Sequence, residues 1–234
     1  MKIGIMQPYF LPYIGYWQLL NEVDQYVIYD DVNFIKGGWI NRNRILVNKE
    51  SKMLTLKLNK ASSNKLINEI EILEDGIQIR QILKTIETFY RKAPYFQVIY
   101  PLLEKILKFN EPNLVKFIKN SFRIICEYLD IKTKLIMSSS LEKKNELKGQ
   151  EKVINICKAL KATEYYNAIG GQKLYSFDKF REEKIQLKFL KTKDIKYKQL
   201  DNEFISNLSV LDVLMFNSKE EVKKMLNSYS IIEN

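Results

Sequence analysis

A chain of 234 residues, 46% of them hydrophobic, is long enough to bury one substantial core, and Lys+Arg outnumber Asp+Glu by 38 to 28, a formal charge of +10. There is no histidine and there are two cysteines, which removes Ser-His-Asp and Cys-His catalysis, imidazole proton shuttles and histidine or multi-thiolate metal sites, so no metal is expected. Cys126 and Cys157 lie in apolar helical patterns, as buried thiols of a reducing compartment do, and no apolar run approaches a membrane span, so a cytoplasmic protein without integral membrane association is expected.

The chain opens with KIGIM, a short buried strand, then QPYFLP, a stiff loop, then YIGYWQLLNEV, whose Ile14, Trp17 and Leu20 recur at helical spacing. QYVIYDD reads as a second strand ending in paired carboxylates. Strand, helix and strand within about thirty residues make a βαβ unit, for which a parallel sheet with a right-handed crossover is the expected packing. From GWINRNRIL through KMLTLKLNK and KLINEIEILE the pattern turns to alternation, predicting two or three extended segments. Asp75 caps a helical stretch, and further helices follow in PYFQVIYPLLEKILKF and PNLVKFIKNSFRIICEYL. TKLIMSSS returns to strand, SLEKKNELKG reads as mobile surface, and Val153, Ile156, Cys157 and Leu160 mark a helix. TEYYNA and IQLKFL are strands, and LSVLDVLMF and EEVKKML close the chain as helices. The expectation is a single α/β domain over 1–234, with a Rossmann-like parallel sheet and a helical segment or small lobe at 75–130.

A doubly wound sheet binds ligands in the crevice beyond the carboxyl ends of its strands. Gln7 and Tyr9, at the end of the first strand, are therefore candidate substrate contacts, whereas Phe10, Leu11 and Trp17 are expected in the core. Asp30 and Asp31 close the second strand at the same edge. Adjacent strand residues face opposite ways, so one is expected to look into the crevice as a hydrogen-bond acceptor, metal ligand or base and the other to cap a turn. KGGWINRNR is the richest polar cluster. Residues 32–60 carry seven basic side chains and one acid, whereas residues 1–31 carry one basic and four acidic. Alternation puts Asn41 with Asn43 and Arg42 with Arg44, a pattern suited to phosphate or carboxylate, with Lys36 alongside. A solvated basic hairpin is the plainer reading of the same residues. Ser138 and Ser139, ending another strand, are candidates for phosphate binding or helix capping.

In the order and spacing of MQPYFLPYIGYW, DQYVIYDDV, GWINRNRIL, SSL, ICKALKATEYY, IQLKF, YKQL and LSVLDVLMFN, nearly the whole chain resembles the WbqC-like family. That resemblance implies a bacterial protein encoded among genes for O-antigen or other surface polysaccharides. The first βαβ also resembles, more distantly, nucleotidyl transferases and pantothenate synthetase, whose helix opens on His-x-Gly-His. Here Tyr13, Ile14, Gly15 and Tyr16 stand at those positions, and a tyrosine lacks the cationic charge an imidazolium offers a phosphate.

Together these readings point to transfer of an acyl or aminoacyl group onto the amine of a nucleotide-linked amino sugar, with aminoacyl-tRNA or another activated acyl donor. The sequence identifies no definite cofactor, a nucleotide being the one candidate. In that scheme Asp30, Asp31 and Lys36 carry the chemistry and Gln7, Tyr9, Asn41, Arg42, Asn43, Arg44, Ser138 and Ser139 hold substrate. Two alternatives are nucleotidyl transfer or ATP-dependent adenylate-forming amide ligation, which would release pyrophosphate, and a non-catalytic nucleic-acid-binding or assembly protein, which would bind with steep salt dependence.

Overall fold

The computed structural model describes residues 1–200 and 203–233. In chain order, β1 (Lys2–Met6), α1 (Ile14–Glu22) and β2 (Gln25–Ile28) form the expected βαβ unit. A hairpin of β3 (Arg42–Val47) and β4 (Glu50–Thr55) follows, then the two-residue strands β5 (Leu58–Asn59) and β6 (Glu71–Ile72). Three helices, α2 (Gln78–Tyr90), α3 (Phe96–Leu107) and α4 (Leu114–Leu129), precede β7 (Lys134–Met137). The rest comprises α5 (Gly149–Ala159), β8 (Glu164–Ala168), α6 (Phe177–Glu182), β9 (Gln186–Thr192), α7 (Val210–Phe216), α8 (Lys219–Leu226) and β10 (Tyr229–Ile232).

Six of these strands make one sheet in the order β10-β9-β8-β1-β2-β7, parallel throughout except for β10. The order reverses between β1 and β8, the arrangement of a Rossmann-like α/β fold, which places the crevice at the carboxyl ends of those strands. Alternation sorts the strand residues between two cores. Ile3, Ile5, Val27, Tyr165, Leu187 and Phe189 face α5 and α6, where they meet Val153, Ile156, Cys157 and Phe180. Tyr26, Ile28, Tyr166 and Leu190 face the other way, into a larger core shared with α1, the hairpin and the long helices. There the Trp17 ring stands edge-on to Phe122 of α4 at 5.4 Å, so the α2–α4 segment packs on the same core as the first helix.

The hairpin turn uses Asn48 and Lys49, both with positive φ (50° and 66°), the two-residue turn whose twist matches paired strands. The third extended segment expected from KLINEIEILE shrinks to a 3-10 turn at Ile67–Glu69 and the short β6. Its alternating Ile67, Ile70 and Ile72 are buried all the same, because the turn keeps them on one side. β10 and α6 were not expected. β10 is four residues, YSII, directly behind a helix, too short for a period-two signal, and it pairs antiparallel with β9.

The polar segment 141–148 is mostly exposed, as its composition suggests, but it is tied down at two points. Lys143 buries its ammonium beneath it, with 1% of the side chain exposed, and Lys144 N donates to Asn155 Oδ1 at 2.8 Å.

Candidate active site

The loop after β1 is rigid for identifiable reasons. Leu11 takes φ +43°, a left-handed conformation that costs a non-glycine residue energy. Its carbonyl accepts from Asn43 Nδ2 (2.7 Å) and from Ser209 Oγ (2.7 Å), while Asn43 Nδ2 also reaches the Phe10 carbonyl at 3.2 Å. The Pro12 carbonyl accepts from Trp17 Nε1 (3.1 Å) and from Val210 N (3.0 Å), and Phe10 N donates to Ile40 O (3.0 Å). Three remote segments, β3, α1 and the start of α7, thus hold the loop's backbone. Phe10, Leu11 and Trp17 are buried in the core as expected, while Gln7 and Tyr9 stay half-buried at the carboxyl edge of β1.

Gly15 lies under the Tyr13 ring. A Cβ there would sit 2.5 Å from that ring and 2.6 Å from Thr192 Oγ1, both closer than real contacts allow. Gly15→Ala is therefore expected to displace the Tyr13 ring and lower stability by about 1–3 kcal/mol, measured by urea unfolding. An unchanged midpoint would mean that both neighbours yield freely.

Tyr13, Tyr9 and Pro12 form one wall of a cavity of about 270 Å³, and Trp39, Asn43, Arg44 and Asn207 form the other. The Arg44 guanidinium lies over the Trp39 ring at 5.4 Å and donates from Nη2 to the Asn207 carbonyl at 3.2 Å. Its Nε is buried without a partner among the described residues. Burial pushes the Tyr9 and Tyr13 phenols up, with the proximity of Tyr13 adding to the effect on Tyr9, so both remain neutral hydrogen-bond donors at physiological pH. The cavity thus combines a planar cation, an exposed indole and two neutral phenols.

The remaining residues of the basic strand are placed differently. Asn41 Nδ2 donates to Leu56 O (2.7 Å), tying the hairpin's open end. Arg42 Nε donates to Gly38 O (2.8 Å) and braces the turn that carries Gly37 at φ +76°. Lys36 is exposed on that turn. Asn43, 6% exposed, spends its amide on the proline loop and on Arg44 N, which donates to its Oδ1 at 2.8 Å. Asn41 and Arg42 therefore brace the hairpin and its turn without lining the cavity, Asn43 lines it while holding the loop, and Arg44 is its cation.

Asp30, Asp31, Ser138 and Ser139 converge where β2 and β7 end. Asp30 is fully buried, accepting from Ser139 N (2.9 Å) on Oδ1 and from Ser139 Oγ (2.6 Å) on Oδ2, so it joins the two strand ends. Asp31, which like Asp30 lies just past the end of β2, turns the other way into a pair of lysines that composition did not single out. Its Oδ2 lies 2.8 Å from Lys143 Nζ and 3.0 Å from Lys152 Nζ, with side-chain exposures of 10% for the aspartate and 1% and 7% for the lysines. Lys152 Nζ also donates to the Asp31 carbonyl (2.8 Å) and lies 5.4 Å from the Tyr29 ring, while Lys143 Nζ donates to Ser138 O. Burial raises the Asp31 carboxyl, but the Lys143 ammonium, the neighbouring Ser138 hydroxyl and the hydrogen bond and charge of Lys152 outweigh it and hold the group below its ordinary range. Asp31 Oδ1 and Ser138 Oγ are both buried without a partner among the described residues.

Lys152 has a sequence signature that was available. It stands four residues before buried Ile156 on an amphipathic helix, a cation on the apolar face. Lys143, in a polar loop, has none. Among the described residues no three Cys, Asp or Glu side chains group as metal ligands, and no helix is long and apolar enough to cross a membrane.

Comparison with known proteins identifies the chain at the level of family. The chain is 30% identical over 229 residues to the uncharacterized protein Rv1507c of Mycobacterium tuberculosis, an alignment covering 96% of this chain and 97% of that one. No solved structure matches. A profile of the WbqC-like protein family spans residues 7–224, and the chain belongs to that family.

Proposed function

We propose that the protein is a sugar-modifying transferase of bacterial surface-polysaccharide (O-antigen) assembly, moving an acyl or aminoacyl group onto the amine of a nucleotide-linked amino sugar. The observation that carries this reading is the cavity built around Arg44. A guanidinium held over Trp39 and by the Asn207 carbonyl keeps further N–H groups for a phosphate, and the indole and phenols suit a sugar or base ring. At about 270 Å³ the cavity falls just below the roughly 300–1,000 Å³ of small-molecule sites, which suits one ring inside and the diphosphate across the mouth. Lys36, exposed on the adjoining turn, would extend the phosphate contact outward, and Gln7 and Tyr9 would orient the ring.

In this reaction the amine nitrogen attacks the activated acyl carbon, the amide C–N bond forms, and the bond to the donor's leaving group breaks. The amine proton passes to a carboxylate. Of the two, Asp31 keeps one oxygen without a partner among the described residues and would be the acceptor, whereas Asp30, with both oxygens engaged by Ser139, positions the strand ends. Without histidine, acceleration comes from proximity and electrostatics, effects able to supply roughly 7–11 kcal/mol in favourable cases. The donor would be an aminoacyl-tRNA or another activated acyl group, which the net charge of +10 suits.

Titration calorimetry with a uridine-diphosphate amino sugar tests this. Wild type is expected to bind, and Arg44→Ala to weaken binding about tenfold or more, equal to roughly 1.4 kcal/mol, with the fold intact by circular dichroism. Incubation with activated amino acids should add the acyl mass to the sugar. A panel of nucleotide sugars that neither bind nor turn over would sink the reading, and pyrophosphate release from ATP would replace it with adenylate formation.

A further inference from the structure

β7 is the outermost strand of the sheet and is paired only with β2. In a parallel ladder the residues alternate in the side to which they present both backbone groups. Lys134 N donates to Asp24 O, so Lys134 and Ile136 face β2 while Leu135 and Met137 turn their N–H groups outward. Neither outward amide meets a partner among the described residues, and the Leu135 carbonyl is equally free, whereas the Met137 carbonyl accepts from Ser140 Oγ. An open strand edge is a template for another strand unless it is covered.

Beside this edge, a groove of about 750 Å³ runs between β7 and α4. Its floor is apolar, with Ile131, Leu135 and Met137, and its rim carries Lys116, Lys119, Arg123 and Lys132. The acid lining it, Glu127, is already paired with Arg123 at 2.5 Å. Asn120 accepts from Arg123 Nη2 at 3.1 Å, which leaves its Nδ2 buried and without an acceptor. The groove therefore offers unspent backbone donors, an unspent amide donor, an apolar floor and uncompensated positive charge.

We propose that this groove binds an extended acidic segment of a partner protein, which adds to the sheet as a strand beside β7. Backbone pairing with Leu135 and Met137 supplies register, alternate apolar side chains reach the floor, and carboxylates meet the lysine rim. A second copy of this chain is disfavoured, because a two-fold pairing of β7 would bring two basic rims together. Single-stranded nucleic acid is disfavoured too, since among the described residues no aromatic ring lines the groove to stack a base. The site is separate from the Arg44 cavity, with no lining residue in common.

The test uses the full chain and a fluorescent peptide of about ten alternating Glu and Val residues, with a Lys and Val counterpart and an oligothymidine as competitors. The acidic peptide is expected to bind, to weaken with salt, and to slow exchange of the Leu135 and Met137 amides. Lys119→Glu with Arg123→Glu should weaken it about tenfold. Set beside Met137→Ala, which trims the floor alone, Met137→Pro also removes one outward donor while leaving the β2 ladder intact, and the observed φ of −84° is close to what proline accepts. It should lose most of the affinity while its melting temperature stays near that of wild type. Failure of the acidic peptide to bind, equal binding by Met137→Pro, displacement by oligothymidine, or peptide-free protection of these amides that rises with protein concentration would each overturn the proposal.

Discussion

Asp31→Asn is expected to lower stability by about 3–5 kcal/mol at neutral pH, read as a fall in the urea midpoint. The substitution keeps the volume and removes only the charge. Two ammonium groups, with 1% and 7% of their side chains exposed, would then share a buried site with no counter-charge. The sign of the pH dependence follows from the Asp31 carboxyl being held below its ordinary value of 3.8. Where the folded state binds fewer protons than the unfolded state, stability rises with pH, so the contribution is complete above that ordinary value and is lost as pH falls through the lowered one. The gap between wild type and Asp31→Asn should stay constant from neutral pH to about pH 5, then close in acid as the wild-type carboxylate is protonated. A cost below about 1 kcal/mol, or a gap that survives in acid, would show that the lysines find water or other acceptors.

A companion variant separates stability from function at the same place. Apolar replacement of a whole buried ion cluster is often neutral or stabilising, because desolvation of the charges is removed with their attraction. Asp31→Leu combined with Lys143→Met and Lys152→Met should therefore recover most of the stability lost by Asp31→Asn. If that variant folds and fails to turn over substrate that still binds at the Arg44 cavity, the cluster serves the reaction.

The sheet's first βαβ unit was legible because its strands are short apolar runs and its first helix repeats Ile14, Trp17 and Leu20 at helical spacing, signals that survive without tertiary context. The carboxyl edge was legible for a similar reason: paired aspartates and a serine run end strands, and a parallel sheet brings strand ends together. What sequence could not supply was partner identity. Nothing local in INRNR says that Asn43 turns inward to the proline loop while Arg44 lines a cavity with Asn207, more than 160 residues away. Nor does a polar loop announce that one of its several lysines, Lys143, is buried against Asp31. β10 escaped because four residues cannot establish a period, and its place is set by pairing with β9.

Asn43→Ala is expected to be the second costly substitution, at about 2–5 kcal/mol, although its side chain is short and far from the sheet's centre. The Phe10 carbonyl and the Arg44 N–H would each lose a partner, and the Leu11 carbonyl would keep Ser209 alone. Each buried group left unsatisfied costs roughly 1–3 kcal/mol. The left-handed Leu11 conformation, itself worth about 1–3 kcal/mol of strain, persists only while its surroundings over-determine it. Released, the loop would carry Tyr9, Pro12 and Tyr13 away from Trp39 and Arg44, so the cavity opens and ligand affinity falls with stability. Asn43→Asp separates hydrogen bonding from size: it keeps the acceptor for Arg44 N but faces two carbonyls with a carboxylate, and should be at least as damaging as alanine. Faster exchange of the Arg44 amide in Asn43→Ala, but not in Asn43→Asp, would assign the loss to the bonds named here. An aspartate variant as stable as wild type would show that the proline loop holds its shape without this clamp.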